Sequence, residues 1–285
     1  MFLDMDPFRK IEVMGIINLT DDSYYSGSRV LREDGKPDPD ALLGKARQMA
    51  DEGADILDIG ACSSRPGAVP VSPREEWERL EPALKMLRAE FPDLAVSIDT
   101  WRSDIVERVH RLIGPFRVND ISAGEDDPAM LETVGRLGLE YVAMHKRGTS
   151  LTMQSLTDYT PDPERPDLSP VTAAVLRYFR DFAVRAEKKG IRRWILDPGF
   201  GFAKTLEQNY QLLNELESLQ VIGRDILVGI SRKSMIYKRF GITAEEALPA
   251  TQVLHAEALR RGASILRVHD VAEARRTVAL YRELL

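Results

Sequence analysis

The stretch 194–205, WILDPGFGFAKT, carries an apolar run into Asp197 and then into a proline, two glycines and two phenylalanines. The run reads as a buried strand that Pro198 and Gly199 must end. Asp197 is then held at the last position of the strand, facing whatever lies beyond the sheet end. Comparable positions carry Asn18, Asp99, Asn119 with Asp120, His145, Ser231 with Lys233, and Arg267 with His269. Singly, each has an ordinary structural use, since Asn and Asp form turns and Ser or Asp caps helices. Together they put hydrogen-bonding and charged groups at one end of a sheet.

Two chemistries are present in that set. Asp99, Asn119 and Asp197 suit a planar heterocycle with an amidine-like edge, because a carboxylate accepts two parallel N–H bonds. Arg267 and His269 are two residues apart and face the same side of one strand. Ser231 and Lys233 do likewise if strand geometry persists that far. An arginine fork and a lysine point charge suit a phosphate or diphosphate. The competing use of Arg267 is an ion pair with Asp197 or Asp99 inside the fold. Asn18 could add one oxygen to a magnesium ion held mainly by phosphates. No nucleophile–base pair stands out, and Cys62, the only cysteine, reads as a small loop residue.

The elements that must position these groups alternate along the chain. Apolar runs predict strands over 13–19, 54–60, 95–100, 116–122, 140–145, 192–199, 225–231 and 263–270. Amphipathic stretches predict helices over 40–53, 72–91, 103–112, 129–138, 169–189, 205–219, within 244–261, and over 271–285. Eight strand–helix units without hairpins predict one α/β domain, 1–285, folded as a (β/α)₈ TIM barrel. An open doubly wound sheet is the alternative, but its glycine-rich turn is missing after the first strand. The connections 19–38 and 61–71 are long, as expected of mobile active-site loops after strands 1 and 2.

Composition narrows the class. The 285 residues are 44% hydrophobic and 29% charged, with a formal net charge of −6, which disfavours a nucleic-acid partner. A lone cysteine excludes an intrachain disulfide and a cysteine-based metal cage. No run approaches the ~20 apolar residues of a membrane span, and MFLDMDPFRK has acids where a secretory signal would be apolar. The expectation is a soluble, cytoplasmic protein with no membrane partner.

The motifs resemble the dihydropteroate synthase family over nearly the whole chain. They are VMGIINLTDDSY (13–24), DIGACSSRPGA (58–68), SIDT (97–100), NDISAG (119–124), MHKRGT (144–149), LDPGFGFAKT (196–205), VGISRKS (228–234) and RVHD (267–270). The resemblance implies a folate-biosynthesis transferase, the sulfonamide target. It would condense (7,8-dihydropterin-6-yl)methyl diphosphate with 4-aminobenzoate to 7,8-dihydropteroate, with Mg²⁺, by a dissociative route. By motif, Asp99, Asn119, Met144, Asp197, Lys233 and Arg267 would hold the pterin. Asn18, Ser64, Arg65, Arg267 and His269 would serve the diphosphate, with Asn18 also the metal ligand. Ser64, Arg65, Phe202, Lys233 and Ser234 would border the aminobenzoate. Asp99, Asp197, Lys233 and Arg267 would be the catalytic groups. The family also implies a homodimer through the last helices.

Three motifs depart from the family pattern, and the small Gly-Ser start usual after the seventh strand's loop is not evident around Leu248-Pro249-Ala250. The first loop reads Thr20-Asp21-Asp22-Ser23-Tyr24 where Thr-Pro-Asp-Ser-Phe is usual. The second reads Cys62-Ser63-Ser64-Arg65 for Glu-Ser-Thr-Arg. Met144-His145-Lys146-Arg147 replaces Met-His-Met-Gln. These changes keep two other readings open: a pterin-binding paralogue with impaired turnover, and a barrel of the methyltetrahydrofolate–corrinoid methyltransferase type. The latter has no need of the SRKS and RVHD cations.

Overall fold

Short apolar runs, each stopped by a polar residue, glycine or proline, form eight parallel strands. They are β1 (Glu12–Asn18), β2 (Ile56–Gly60), β3 (Ala95–Asp99), β4 (Arg117–Asp120), β5 (Glu140–Met144), β6 (Trp194–Asp197), β7 (Leu227–Val228) and β8 (Ile265–Val268). The computed structural model describes residues 10–20, 30–32, 35–63 and 67–285. Hydrogen-bonded neighbours follow the order β6-β5-β4-β3-β2-β1-β8-β7. The ring closes where Leu196 bridges Ile226 in parallel and its N–H donates to the Asp225 carbonyl at 3.0 Å. The architecture is a (β/α)₈ barrel, as the element pattern predicts.

Helices α1 (Pro39–Asp51), α2 (Pro73–Glu90), α3 (Ser103–Ile113), α4 (Met130–Leu137), α5 (Pro170–Lys188), α6 (Leu206–Asn214), α7 (Ser234–Phe240), α8 (Leu248–Arg260) and α9 (Val271–Glu283) surround it. Their starts follow local chemistry. Ser72 accepts the Glu75 N–H at the head of α2, with proline at the first helical position. Thr205 and Gln208 form a reciprocal capping box on α6. The buried faces of these helices and the outward side chains of the strands make one apolar layer, which includes Leu57, Tyr141, Phe179 and Phe182.

The barrel interior is a separate, smaller layer of Met14, Ile56, Val142, Ile195, Leu227 and Ile265. Side chains on a strand alternate, so two residues further on the same interior is reached again. From Ile56, Val142, Ile195 and Ile265 that step arrives at Asp58, Met144, Asp197 and Arg267. The apolar layer is therefore a floor, and the functional groups stand one layer above it.

Three elements differ from expectation. The predicted strand 225–231 shrinks to Leu227–Val228, because Arg232 takes a left-handed φ of 53° and Lys233 N–H bonds back to the Ile230 carbonyl. Helix α7 was not anticipated from periodicity, being only 7 residues long. Helix 205–219 divides into α6 and a 3₁₀ stretch Leu216–Ile222. Residues 21–29 and 33–34 of the first expected long loop and 64–66 of the second lie outside the described residues.

At the opposite end of the barrel Arg117 opens β4 and donates to Glu140 at 2.6 Å and to Glu12 at 3.0 Å. This ion triplet ties the entry points of three strands and lies away from the carboxyl ends, where such barrels work. Arg117→Met is expected to lower the unfolding free energy by roughly 1–3 kcal/mol, less than a fully buried pair because both glutamates keep some water. Urea denaturation checks this, and ligand affinity at the other end should be unchanged.

Candidate functional site

At the carboxyl ends of the strands lies a cavity of about 530 Å³. Asp99, Asn119, Met144 and Asp197 line it from β3 to β6. Arg267, His269 and Asn18 line it from β8 and β1, and Phe202, Lys233 and Ser234 from the loops after β6 and β7. Every residue that the motifs assign to the site, within the described part of the chain, lines this one space. Ser64 and Arg65 lie outside the described residues.

The deepest part is a buried charge network. Arg267 donates through Nε to Asp58 Oδ2 at 2.6 Å and through Nη2 to Asp99 Oδ2 at 2.8 Å. Asn119 Nδ2 donates to the same Asp58 oxygen at 3.0 Å. The ion-pair use of Arg267 is thus realised, with Asp99 and Asp58 rather than Asp197, while the guanidinium still lines the cavity. Asp58 Oδ1 and Asp99 Oδ1 are buried and have no partner among the described residues. Orphaned buried acceptors are uncommon, and one beside a cavity suits a ligand that brings N–H groups.

The electrostatics follow from that burial. Desolvation raises the Asp99 carboxyl to about 7 against the opposing pull of Arg267, with Asp58 adding to the rise. Burial also raises Asp197, opposed by Lys233. Burial draws Arg267 down, yet Asp58 and Asp99 together outweigh it and hold the guanidinium firmly charged. Burial lowers Lys233 to about 8, although Asp197 pulls the other way.

Beyond Asp197 the chain makes a tight turn. Gly199 has φ 70°, and a Cβ there would stand 2.0 Å from the His145 carbonyl oxygen, so only glycine fits. Its N–H donates to Asp197 Oδ1 at 2.8 Å, fixing the carboxylate. Lys233 Nζ donates to the Phe200 carbonyl at 2.7 Å and lies 4.7 Å from the centre of the Phe202 ring. On the other wall Ser231 Oγ and His269 Nδ1 are 3.1 Å apart. Lys233 reaches the cavity by the Arg232 turn and not by continued strand alternation. Arg232 itself forks onto Asp270, 2.8 Å for each bond, and holds the Ala244 and Glu245 carbonyls.

Two of the strand-end residues serve elsewhere. Asp120 faces the helices and accepts from the Tyr141 hydroxyl, Ser122 and Gly124. His145 is buried behind the cavity, 3.1 Å from Lys204 Nζ. Cys62 lines the cavity wall, where burial and Glu76 raise its thiol to about 11, in keeping with a non-nucleophilic role. Sequence reading missed Asp58, Lys204 and Gln154. Asp58 was findable, since it shares the interior face of β2 with Ile56. Gln154 comes from the 3₁₀ turn Met153–Ser155 in a long polar connection and carries no local signal. Tyr237 and Lys238 join the outer wall from the unanticipated α7.

Comparison with known proteins identifies what such a barrel is. Residues 14–269 match the family described as pterin binding enzyme. Dihydropteroate synthase of Escherichia coli K12 is 36% identical over 266 residues, covering 92% of this chain and 87% of that protein. The folic acid synthesis protein fol1 of Pneumocystis carinii is 39% identical over 272 residues, 92% of this chain but 34% of that longer protein. The crystal structure of Yersinia pestis dihydropteroate synthase with a sulfonamide drug superposes with a TM-score of 0.86 at 33% identity, over 99% of this chain and 96% of that one. Xanthomonas albilineans dihydropteroate synthase with 4-aminobenzoic acid gives 0.82 at 34% identity, over 98% and 94%. The chain belongs to the dihydropteroate synthase family of pterin binding enzymes.

Asp99 is an acid whose value in the fold lies above its ordinary 3.8. Stability associated with it is therefore present at low pH and lost as pH rises through about 7, where the folded site must accept the charge. Asp99→Asn should flatten that decline in the ligand-free protein. Urea unfolding of both forms from pH 4 to pH 8 is the check, and equal slopes would contradict the assignment.

Proposed function

We propose that the protein is a dihydropteroate synthase that condenses (7,8-dihydropterin-6-yl)methyl diphosphate with 4-aminobenzoate, giving 7,8-dihydropteroate and diphosphate. What carries this reading is the single cavity that joins a carboxylate–amide wall to a cationic wall. Asp99, Asn119 and Asp197 are suited to the amino and ring N–H edge of the pterin, with Met144 against its face. Arg267 spans both parts, and His269, Asn18 and Lys233 face the diphosphate side. Phe202, Lys233 and Ser234 border the aminobenzoate, whose carboxylate would lie near the start of α7. Ser64 and Arg65 complete the diphosphate and aminobenzoate sides in this proposal.

Among the described residues no group of three or more His, Cys, Asp or Glu is arranged to hold a metal ion. The donor set nevertheless fits magnesium, which keeps several waters and takes substrate phosphate oxygens with few protein ligands. Asn18 would supply its side-chain oxygen, and the ion would contribute charge neutralisation at the leaving diphosphate.

The chemistry asks the protein for preorganised charge and not for a nucleophile. As the methylene–oxygen bond breaks, its electron pair leaves with the diphosphate, which Arg267, Lys233 and His269 are placed to stabilise. The positive charge left on the methylene spreads into the pterin, where Asp99 and Asp197 are placed to stabilise it. The neutral amine of 4-aminobenzoate then forms the new carbon–nitrogen bond and releases one proton. Sulfonamides, which carry a similar arylamine, would occupy the Phe202 side.

We also propose that the chain acts as one domain and as a homodimer through its last helices, where Val253, Leu280 and Leu284 are exposed. No helix among the described residues is long and apolar enough to cross a membrane, and the cytoplasm is the proposed location.

The deciding experiment incubates the protein with Mg²⁺ and both substrates and follows dihydropteroate and diphosphate. Turnover is expected; tight pterin diphosphate binding without turnover would replace the synthase reading with a pterin-binding one. Arg267→Ala is a poor probe because it strands Asp58 and Asp99. Asp197→Asn keeps Oδ1 for Gly199 and removes only the charge. It should lower kcat/KM for the pterin diphosphate on the order of 100-fold, the worth of a charged hydrogen bond. Near-normal turnover would remove Asp197 from the mechanism.

A further inference from the structure

The loop between β6 and α6 presents Phe202 to the cavity through a backbone that is locally unfavourable. Gly199, Gly201 and Ala203 all lie at positive φ, 70°, 84° and 50°, and Ala203 does so with a Cβ. Such a run persists only where its surroundings hold it. Here the successive carbonyls from Gly199 to Ala203 are each taken by a side-chain donor. Gly199 and Phe202 accept from Lys204 Nζ at 2.9 and 3.0 Å. Phe200 accepts from Lys233, Gly201 from Gln154 at 3.1 Å, and Ala203 from the Tyr159 hydroxyl at 3.0 Å.

Lys204 supplies two of these bonds from inside the loop. It is buried, at 4% exposure, and is absent from the cavity lining, so it does not touch what the cavity binds. Its third N–H points to His145 Nδ1 at 3.1 Å. An ammonium has three N–H donors and no acceptor, and two carbonyls with one imidazole lone pair match it completely. That match needs His145 neutral, and burial together with Lys204 and Arg147 pushes His145 well below its ordinary value. The same burial draws Lys204 down to about 7, opposed by Asp197 and reinforced by Lys233.

We propose that Lys204 is a positioning residue for the second substrate. By tying the Gly199 and Phe202 carbonyls to His145, it sets the loop so that Phe202 stands beside Lys233 where the aminobenzoate ring would lie. The proposal rests on the synthase reading for its substrate. The Asp197 backbone is independent of this tie, because its carbonyl is bound by His145 N–H at 3.0 Å within the sheet register.

Lys204→Met, which keeps the stem and removes the ammonium, is the test. Two readouts are needed, hydrogen exchange of segment 198–205 in the unliganded protein and steady-state kinetics with both substrates. Exchange should accelerate about 10-fold or more in that segment alone. KM for 4-aminobenzoate should rise about 10-fold, with kcat and KM for the pterin diphosphate within about threefold. An unchanged aminobenzoate KM, or an equal fall in every parameter, overturns the proposal. If Lys204→Met does not fold, Tyr159→Phe frees only the Ala203 carbonyl, and the same selective rise, about threefold, is required of it. Absence of turnover in the unsubstituted protein would count against the synthase reading, and the exchange comparison would then decide the loop claim by itself.

Discussion

A guanidinium placed inside a barrel has lost most of its water, and the only groups that can replace that water are ones brought in by the strands. Arg267 finds them in Asp58 on the floor side and Asp99 on the cavity side. The cost of burying all three charges is recovered only if the geometry is good, and the distances of 2.6 and 2.8 Å meet that condition. The rest of the site depends on this arrangement. Asn119 is oriented by the same Asp58 oxygen, and Asp99 is held at the cavity with one oxygen committed to Arg267 and the other orphaned. Charges set before a ligand arrives need no reorganisation when charge develops in a reaction.

The site is built by two kinds of support. Asp58, Asp99, Asn119, Met144, Asp197 and Arg267 are placed by strand alternation, which is as rigid as the barrel itself. Lys233 and Ser234 are placed by a turn, and that turn is anchored by Arg232 on Asp270 and on two carbonyls ahead of α8. Because Asp270 directly follows His269, the same fork ties the β7 and β8 ends together. The carboxylate–amide wall thus draws on secondary structure, whereas the Phe202–Lys233 wall depends on side-chain clamps.

This division also explains what the sequence could disclose. Strand-end polar residues with a period of two identify the groups that alternation places, and the barrel follows from the count of strand–helix units. The DPGFGF, SRKS and RVHD motifs mark which loops matter. The sequence does not distinguish inward from outward at the last strand position, so Asp120 and His145 joined the same set although they face the helices or the loop behind the cavity. Asp58 escaped notice because it sits inside an apolar run, where an acid reads as an interruption and not as a counterion. Lys204 and Gln154 act on backbone carbonyls in three dimensions, and no spacing rule encodes such contacts. Much of the first loop, and Ser64 and Arg65 of the second, lie outside the described residues.

The thiol of Cys62 forms part of the cavity wall, yet it is 4% exposed and its acidity is suppressed to about 11 by burial and by Glu76. Reaction at sulfur proceeds through the thiolate, which at neutral pH is then a very small fraction of this residue. An electrophile delivered to the cavity would meet a cysteine held mostly as the thiol. Burial of Cys62 thus slows reaction at its sulfur, and what the cavity offers a small molecule first is complementarity to its charged walls.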